Sequence, residues 1–542
     1  MIKKIRILNF KQFENISIQF SNVNILVGNN NCGKSTILEA ISLALTGYYK
    51  GKSINKCLSQ NIFNKKSVDA FLSNETHNFD DLPTILIELE IDESNAKFIG
   101  NNNLDRSRKC GFQFHIKPNE KYRESFANQN DKIYKTLPIE YYDISWSFFN
   151  TMNEVPTCKE IPFKSFTIDS DNFQSNTFYT SRIIKAFIDE TDSFKLSQEE
   201  RESFQKLLGS ETIKNVNIKI EKDKELKQRC VKLGLTELSK NSWETIIGTS
   251  INDLPFEYSG KGEQCIVKTC LSLSTKNEDN KRILLIEEPE SHLSHTNLNK
   301  LMNIILNSET ENQIIITTHN SFVANKIGLN NLILLNDKQS LKLRDLEKTT
   351  YNYFKKLSGF DTLRFVLSEK NILVEGDSDE LIVQRAYLDK FGKLPIEDGV
   401  DVISVNGLSY KRFLEIAKQL NIKTHVATDN DGNIERLQKI EDEYKKYKNI
   451  QICYNQSINH PFDLNCDPST TKIKNFNTLE IELFKSNSLK TLNKIFEKQF
   501  ENNEECLIFM LNNKTDCALS IFESSSSINY PEYIRKAIDF ND

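Results

Sequence analysis

Apolar positions along this chain fall into two recurring patterns. Met1-Ile2-Lys3-Lys4-Ile5-Arg6 alternates and predicts an opening strand. Val23-Asn24-Ile25-Leu26-Val27 is nearly continuous and predicts a buried strand; Ile37, Leu38, Ile41 and Leu45 then recur at helical spacing. The same switch returns at Ile283-Leu284-Leu285-Ile286, with a helical face of Leu298, Leu301, Met302 and Ile305, and then a strand at Ile314-Ile315-Ile316. It restarts near residue 369: strand Ile372–Val374, helix with Leu381, Ile382, Val383 and Ala386, strand Val402–Val405, helix with Phe413, Leu414, Ala417 and Leu420, and strand Thr424–Thr428. Buried strands alternating with helices predict parallel sheets, whose ligands collect at the carboxyl ends of the strands.

Between these blocks the pattern changes. Residues about 92–180 are mixed, aromatic and strand-like; residues about 181–245 are charged and helical, as in Ser197-Gln198-Glu199-Glu200-Arg201-Glu202 running into Leu207-Leu208. No heptad repeat is sustained there. With 542 residues the chain exceeds one hydrophobic core.

Chemistry sits at the predicted strand ends. Gly28-Asn29-Asn30-Asn31-Cys32-Gly33-Lys34-Ser35-Thr36 fits a phosphate-binding loop. Its glycines let backbone N–H groups turn toward phosphate oxygens, Lys34 reaches the β/γ-phosphates and Ser35 the Mg²⁺. Glu287-Glu288-Pro289-Glu290 ends the second strand; one carboxylate there can hold Mg²⁺ through water and the next can orient an attacking water. Thr317-Thr318-His319-Asn320-Ser321 ends the third, and His319 suits a γ-phosphate sensor. In the C-terminal block Glu375 follows one strand, and Asp429-Asn430-Asp431-Gly432 follows another. Paired oxygen ligands at matching strand ends suit two Mg²⁺ or Mn²⁺ ions that activate water against a phosphodiester. The bland alternatives are a solvated acidic turn at Glu287-Glu288 and an Asx turn at Asp429–Gly432.

These motifs resemble known families. Leu8-Asn9-Phe10-Lys11-Gln12-Phe13 together with Val27–Thr36 is similar to ABC ATPases of the SMC/RecF/OLD branch, and Glu287-Glu288-Pro289-Glu290 resembles the OLD pattern. Ser259-Gly260-Lys261-Gly262 resembles the ABC signature loop, which implies ATP sandwiched between two copies. The strand Thr84–Ile91 offers only glutamates, so the family's glutamine role stays unassigned. The C-terminal block resembles a Toprim domain: Glu375, Gly376 and Asp379 match its acidic-glycine motif, and Asp429 and Asp431 its D-x-D. Thr478-Leu479-Glu480 matches an OLD element, which implies Glu480 as a second-site ligand; Asn513-Lys514-Thr515-Asp516 resembles its lysine-bearing helix start, which implies Lys514 as a stabiliser of the phosphate in flight. The alternative for Lys514 is an ordinary exposed lysine.

The resulting expectation is an α/β chain: an ABC-type ATPase domain with a helical insert, followed by a Toprim-type parallel-sheet domain. The ATPase halves are 1–180 and 246–340, the helical dimerisation insert 181–245, the linker 341–368 and the Toprim nuclease domain 369–542. The resemblance implies an OLD-family, ATP-regulated, metal-dependent DNA endonuclease, most like the class containing the Gabija nuclease subunit and related anti-phage effectors. Its implied catalytic residues are Glu375, Lys514, Glu288 and His319. ATP would be held by Asn29 through Thr36, Glu287, Ser259, Gly260 and Gly262, and metal by Glu375, Asp379, Asp429, Asp431, Glu480 and Ser35. It also implies a homodimer or homotetramer acting on DNA, with a helicase or a reverse-transcriptase/non-coding-RNA component often encoded nearby. The rival is a DNA-bridging SMC/RecF-like ATPase with an inert Toprim domain.

Composition adds constraints. The chain is 38% hydrophobic and 27% charged, with a net charge of −5, which argues against a coat of nucleic acid but leaves room for a local basic groove. Eleven cysteines without a C-x-x-C point to a reducing cytoplasm. No apolar run approaches the ~18 residues of a membrane span.

Overall fold

A computed structural model of the protein describes all residues except 75, 93–94, 129–133, 152, 170–186, 235–242, 244–249, 275–280, 308–311, 337–338, 357–359, 406, 408–409, 465–472 and 541–542. Residues up to Lys342 hold two large sheets. Alternating residues make β1 (Ile2–Phe10) and β2 (Phe13–Gln19) antiparallel neighbours. They share a sheet with β4 (Ile85–Ile91), β5 (Lys109–Pro118) and β6 (Tyr142–Phe148), in the order β6-β5-β4-β1-β2. The aromatic, strand-like stretch after residue 92 therefore supplies sheet, as its pattern predicts. Glu88 on β4 accepts from Gln113 Nε2 and from the Leu104 amide, each at 2.8 Å, and so serves this sheet.

The second sheet runs β7-β8-β9-β3-β10-β11, from Phe163–Asp169, Lys281–Glu287, Asn312–Thr318, Val23–Gly28, Leu332–Asn336 and Gln339–Lys342 respectively. Its first five strands are parallel and β11 is antiparallel. All six residues of β3 are buried, which accounts for the unbroken apolar run. Buried Gln313 ties the sheets together: it donates to the carbonyls of Ile2 (2.7 Å) and Ser21 (2.9 Å) and accepts from the Ile2 amide. Helix α1 (Lys34–Thr46) packs between them, with Ile37, Leu38, Ile41 and Leu45 buried.

The charged segment forms α2 (Glu190–Leu208) and α3 (Glu211–Lys222), neither with a buried residue. Phe194 is 64% exposed and Leu207 57%, so their apolar faces find no cover within the described chain. Residues 181–186, 235–242 and 244–245 of the expected insert lie outside the described residues.

Residues 341–368, expected as a linker, fold as α4 (Lys348–Lys356) and α5 (Phe360–Leu367). Phe354, Leu363, Phe365 and Val366 enter one core with Ile25 and Ile316 of the ATPase sheet and with Ile403 and Phe413 beyond it. The Phe354 and Phe365 rings meet Phe413 at 5.1 and 5.4 Å. The partners of this wedge are distant in sequence.

The C-terminal sheet is parallel, in the order β13-β12-β14-β15: Val400–Ser404, Lys370–Val374, Lys423–Ala427 and Ile450–Cys453. Its helices include α6 (Asp377–Phe391), α7 (Tyr410–Leu420), α8 (Ile434–Tyr444), α9 (Leu479–Ser486), α10 (Lys514–Glu523) and α11 (Glu532–Ala537). No helix among the described residues is long and apolar enough to cross a membrane.

Candidate nucleotide site and candidate metal centre

Register gathers the first set of motifs at one sheet edge. Thr318 pairs with Val27, and Glu287 with Thr317, so the phosphate loop, Glu288 and His319 all leave the sheet side by side. Asn31 and Gly33 take positive φ, 67° and 97°, which curls the loop. Gly33 is obligatory: an added Cβ would lie 2.2 Å from the Phe13 ring. Gln12 Nε2 braces the loop from outside through the Asn31 carbonyl at 2.8 Å. Lys34, 6% exposed, donates to the carbonyls of Gly28 (2.8 Å) and Asn29 (3.1 Å), which holds its ammonium within the curl. Ser35 is exposed at the start of α1, while Cys32 and Thr36 are buried.

Glu288 sits in the left-handed region at φ 42°, with its amide donating to the Thr317 carbonyl at 3.0 Å. Its Oε1 lies 3.3 Å from His319 Nδ1. The Thr318 hydroxyl and the His319 amide both donate to Glu290 Oε1. Burial raises the Glu290 pKa above the usual carboxylate value. Ser259-Gly260-Lys261-Gly262 stands at the start of a helix over Lys261–Ser274. Gly262 packs against the turn after Glu290, since a Cβ there would lie 2.6 Å from the His292 carbonyl oxygen. Gly260 instead has nothing within 4 Å of an added Cβ and faces open space.

The second set converges at the edge of the C-terminal sheet. Val374 pairs with Ala427, so Glu375 and Thr428 are level and the Thr428 hydroxyl donates to Glu375 Oε1. Glu375, Asp429 and Asp431 bring one carboxylate oxygen each within 4.8 Å of one another. Asp379 joins them from the first turn of α6, and Glu480 from the first turn of α9. Lys514, first residue of α10, reaches Glu480 Oε2 at 3.1 Å, and the Thr478 hydroxyl donates to the same oxygen at 2.8 Å. Every metal residue named from sequence in the C-terminal half thus meets at this edge.

Electrostatics describe crowded acids that their basic neighbours, Lys514 among them, compensate only in part. Burial first, then Glu375 and Asp431, push Asp429 up to about 8. Burial first, then Glu375 and Glu480, push Asp379 up to about 7. Burial also raises Glu375. Asp429 Oδ1 is buried with no hydrogen-bond partner among the described residues. All-oxygen donors, one orphaned and buried, fit a hard divalent cation.

Sequence reasoning passed over the parts that hold this edge in shape. Asn475 donates to Asp431 Oδ1 at 2.8 Å, and the Asp431 amide to the Asn477 carbonyl at 3.3 Å. Asn430 is buried and anchors the turn through the carbonyls of Asn455 and Ser457, each at 2.8 Å. Asn455 and Asn459 both donate to buried Glu482 at 2.6 Å. Asn430 belongs to the Asp429–Gly432 turn read from sequence, and its side-chain oxygen accepts from the Gly432 amide at 2.9 Å; in a chain so rich in asparagine the other positions carry no sequence signal. Tyr533, on α11, is buried behind the centre, and its pKa is raised by burial and then by Asp379 and Asp429.

Fold and edges together define a protein that joins a P-loop ATPase to a Toprim domain. The AAA ATPase domain family matches residues 1–324, and the TOPRIM domain of overcoming lysogenization defect (OLD)-like proteins matches residues 366–431. The chain belongs to that AAA ATPase family and, with its second domain, is an OLD-family ATPase–Toprim protein. It is similar to the Old nuclease of Escherichia phage P2, 23% identical over 480 residues, 79% of this chain and 77% of that one. A shorter match, 47% identical over 58 residues, is to an ATP/GTP phosphatase of Helicobacter pylori; it spans 10% of this chain and only 14% of that protein. Among solved structures, the C-terminal region of the Xanthomonas campestris pv. campestris OLD protein matches at 20% identity and a TM-score of 0.23, over 32% of this chain and 92% of that one.

Proposed function

We propose that the protein is an ATP-regulated DNA endonuclease that depends on a divalent metal and acts in anti-phage defence. The observation that carries this reading is the convergence of Glu375, Asp429 and Asp431 within 4.8 Å, flanked by Asp379 and by the Glu480–Lys514 pair. Glu375, Asp379, Asp429, Asp431 and Glu480 would hold Mg²⁺ or Mn²⁺, which when bound supplies positive charge to the phosphate and acidifies water. The chain's own groups do the rest. Thr428 fixes the Glu375 carboxylate, which is positioned to take a proton from the attacking water. Lys514, held by Glu480 and half exposed, presents its ammonium to the non-bridging oxygens as negative charge builds.

In the ATPase, Lys34 and the loop amides hold the phosphates, Ser35 and Glu287 serve the nucleotide's Mg²⁺, and Glu288 orients water with His319 beside it. Gly260 in open space suits a signature loop that completes the site of a second copy. The uncovered faces of α2 and α3 suit the dimerisation role of residues 181–245, with 1–180 and 246–340 as the ATPase halves and 369–542 as the nuclease. The partners are DNA and further copies of the chain. The similarity to the phage P2 Old nuclease supports the same reading. An inert Toprim domain is disfavoured, because a purely structural sheet edge would not keep half-buried acids together at this cost in self-repulsion.

The test is plasmid nicking with Mg²⁺ or Mn²⁺. D429A and E375A should each lose at least about a hundredfold in cleavage while binding ATP normally. Undiminished nicking by both variants would remove the metal-site reading.

A further inference from the structure

Beside the carboxylates, between the starts of α7 and α8, lies a cleft of about 420 Å³. Three basic side chains line it, Lys411, Arg436 and Lys439, together with the carboxylates of Glu435 and Glu443. Glu443 faces Lys411 at 3.9 Å; Tyr410, 2% exposed, forms the inner wall. Arg436 is the unusual member. It sits in the first turn of α8, where its amide donates to Asn433 Oδ1 at 3.2 Å. Its guanidinium Nε and Nη2 are buried, yet neither has a hydrogen-bond partner among the described residues. Its helix follows directly on the Asp429–Gly432 turn, with the Asn433 amide donating to the Asn430 carbonyl at 2.7 Å, so Arg436 lines the cleft close to the acidic centre.

An arginine present only to neutralise the acids would bond to one of them, because a buried donor left unpaired costs more than the pair would. A guanidinium held near carboxylates without bonding them is instead kept for another anion. Its planar fork matches two oxygens of a phosphodiester. Two helices begin at this edge, and their N-terminal ends favour negative charge in the same place. The net charge of the five charged side chains that line the cleft is positive, which suits an anion arriving from solvent.

We propose that Arg436 is a DNA-backbone clamp: it binds a phosphodiester of the strand that lies across the acidic centre, with Lys439 at the mouth of the cleft. The clamp rests on the nuclease reading, because it orients that substrate toward Glu375 and Asp429. It explains how an acidic edge in a chain of net charge −5 holds a polyanion.

The experiment uses the full chain and a duplex DNA, with Ca²⁺ replacing Mg²⁺ so that binding is read without cleavage. Affinity is followed by fluorescence anisotropy over a series of salt concentrations. R436A should bind about tenfold more weakly, and its log–log salt slope should fall by about 1, the signature of one lost phosphate contact. R436K should keep the slope and recover part of the affinity. R436Q takes the place of R436A if thermal melting shows that the alanine variant does not fold. Wild-type affinity and slope in the folded variant, or weaker binding with an unchanged slope, would overturn the clamp. Plasmid nicking by the wild type separates the two readings. A chain that never nicks yet shows the Arg436-dependent slope keeps the clamp and loses the nuclease; a chain that nicks while R436A binds normally does the reverse.

Discussion

Asp429 and Asp379 are carboxylic acids whose folded environment favours the proton, with values near 8 and 7. A raised carboxylate binds more protons folded than unfolded. Without metal, its contribution to stability is therefore fullest below about pH 4 and is lost as pH rises through about 7 to 8. Metal binding requires the ionised form, so the apparent affinity should climb over the same window. Melting curves with and without millimolar Mg²⁺ should show stabilisation by metal that is small near pH 6 and several degrees larger near pH 8.5. A metal shift independent of pH would contradict the crowded-acid account. At the other edge, E288Q should bind ATP as tightly as wild type and hydrolyse it at least about tenfold more slowly, because the water loses its orienting carboxylate. Wild-type turnover in a phosphate-release assay would move that role elsewhere.

At the scale of elements, strand ends decide where chemistry collects, and packing between non-neighbouring elements decides whether it stays there. Arg364 on α5 illustrates the second point. It donates to Asp401 at 2.7 and 2.8 Å and to the Val402 carbonyl at 2.8 Å, fastening the wedge helix to edge strand β13. R364A would leave the buried Asp401 carboxylate without that partner, at a cost of about 2 kcal/mol. Urea unfolding followed by circular dichroism should show the lowered midpoint with an unchanged m-value. A midpoint equal to wild type would mean that the contact contributes little. Residues 341–368, expected as a linker, hold two short helices that bury Phe354 and Phe365 against Phe413, a partner about fifty residues away that no local pattern reveals.

For the whole molecule, one core runs from the ATPase sheet through the wedge into the C-terminal sheet. The two parts are therefore packed together rather than merely tethered, and the proposed ATP regulation would act through that core. Assembly is the matching prediction. The exposed Gly260 segment and the uncovered α2–α3 faces call for a second copy, and twofold pairing is the commonest closed arrangement of identical chains. Light scattering at micromolar protein should give a homodimer or a larger even-numbered oligomer, with or without ATP and Mg²⁺. A monomeric mass under every condition would sink both the shared nucleotide site and the dimerisation role of the insert.

Local pattern was enough to determine the α/β alternation, the phosphate loop, the two acidic strand ends and their separation into two blocks. These depend on residue periodicity and on short motifs whose members are neighbours in the chain. Glu480 and Lys514 were legible only through resemblance, since nothing local ties them to Asp429 some fifty and eighty-five residues earlier. Tertiary structure alone decided the rest. The asparagine supports at 455, 459, 475 and 477, the buried tyrosine on the C-terminal helix, and the orphaned guanidinium of Arg436 have ordinary residue types at unremarkable spacings. Burial is what gives each of them meaning: a polar group removed from water must find a partner or lie waiting for one, and that condition exists only once the chain has folded around it.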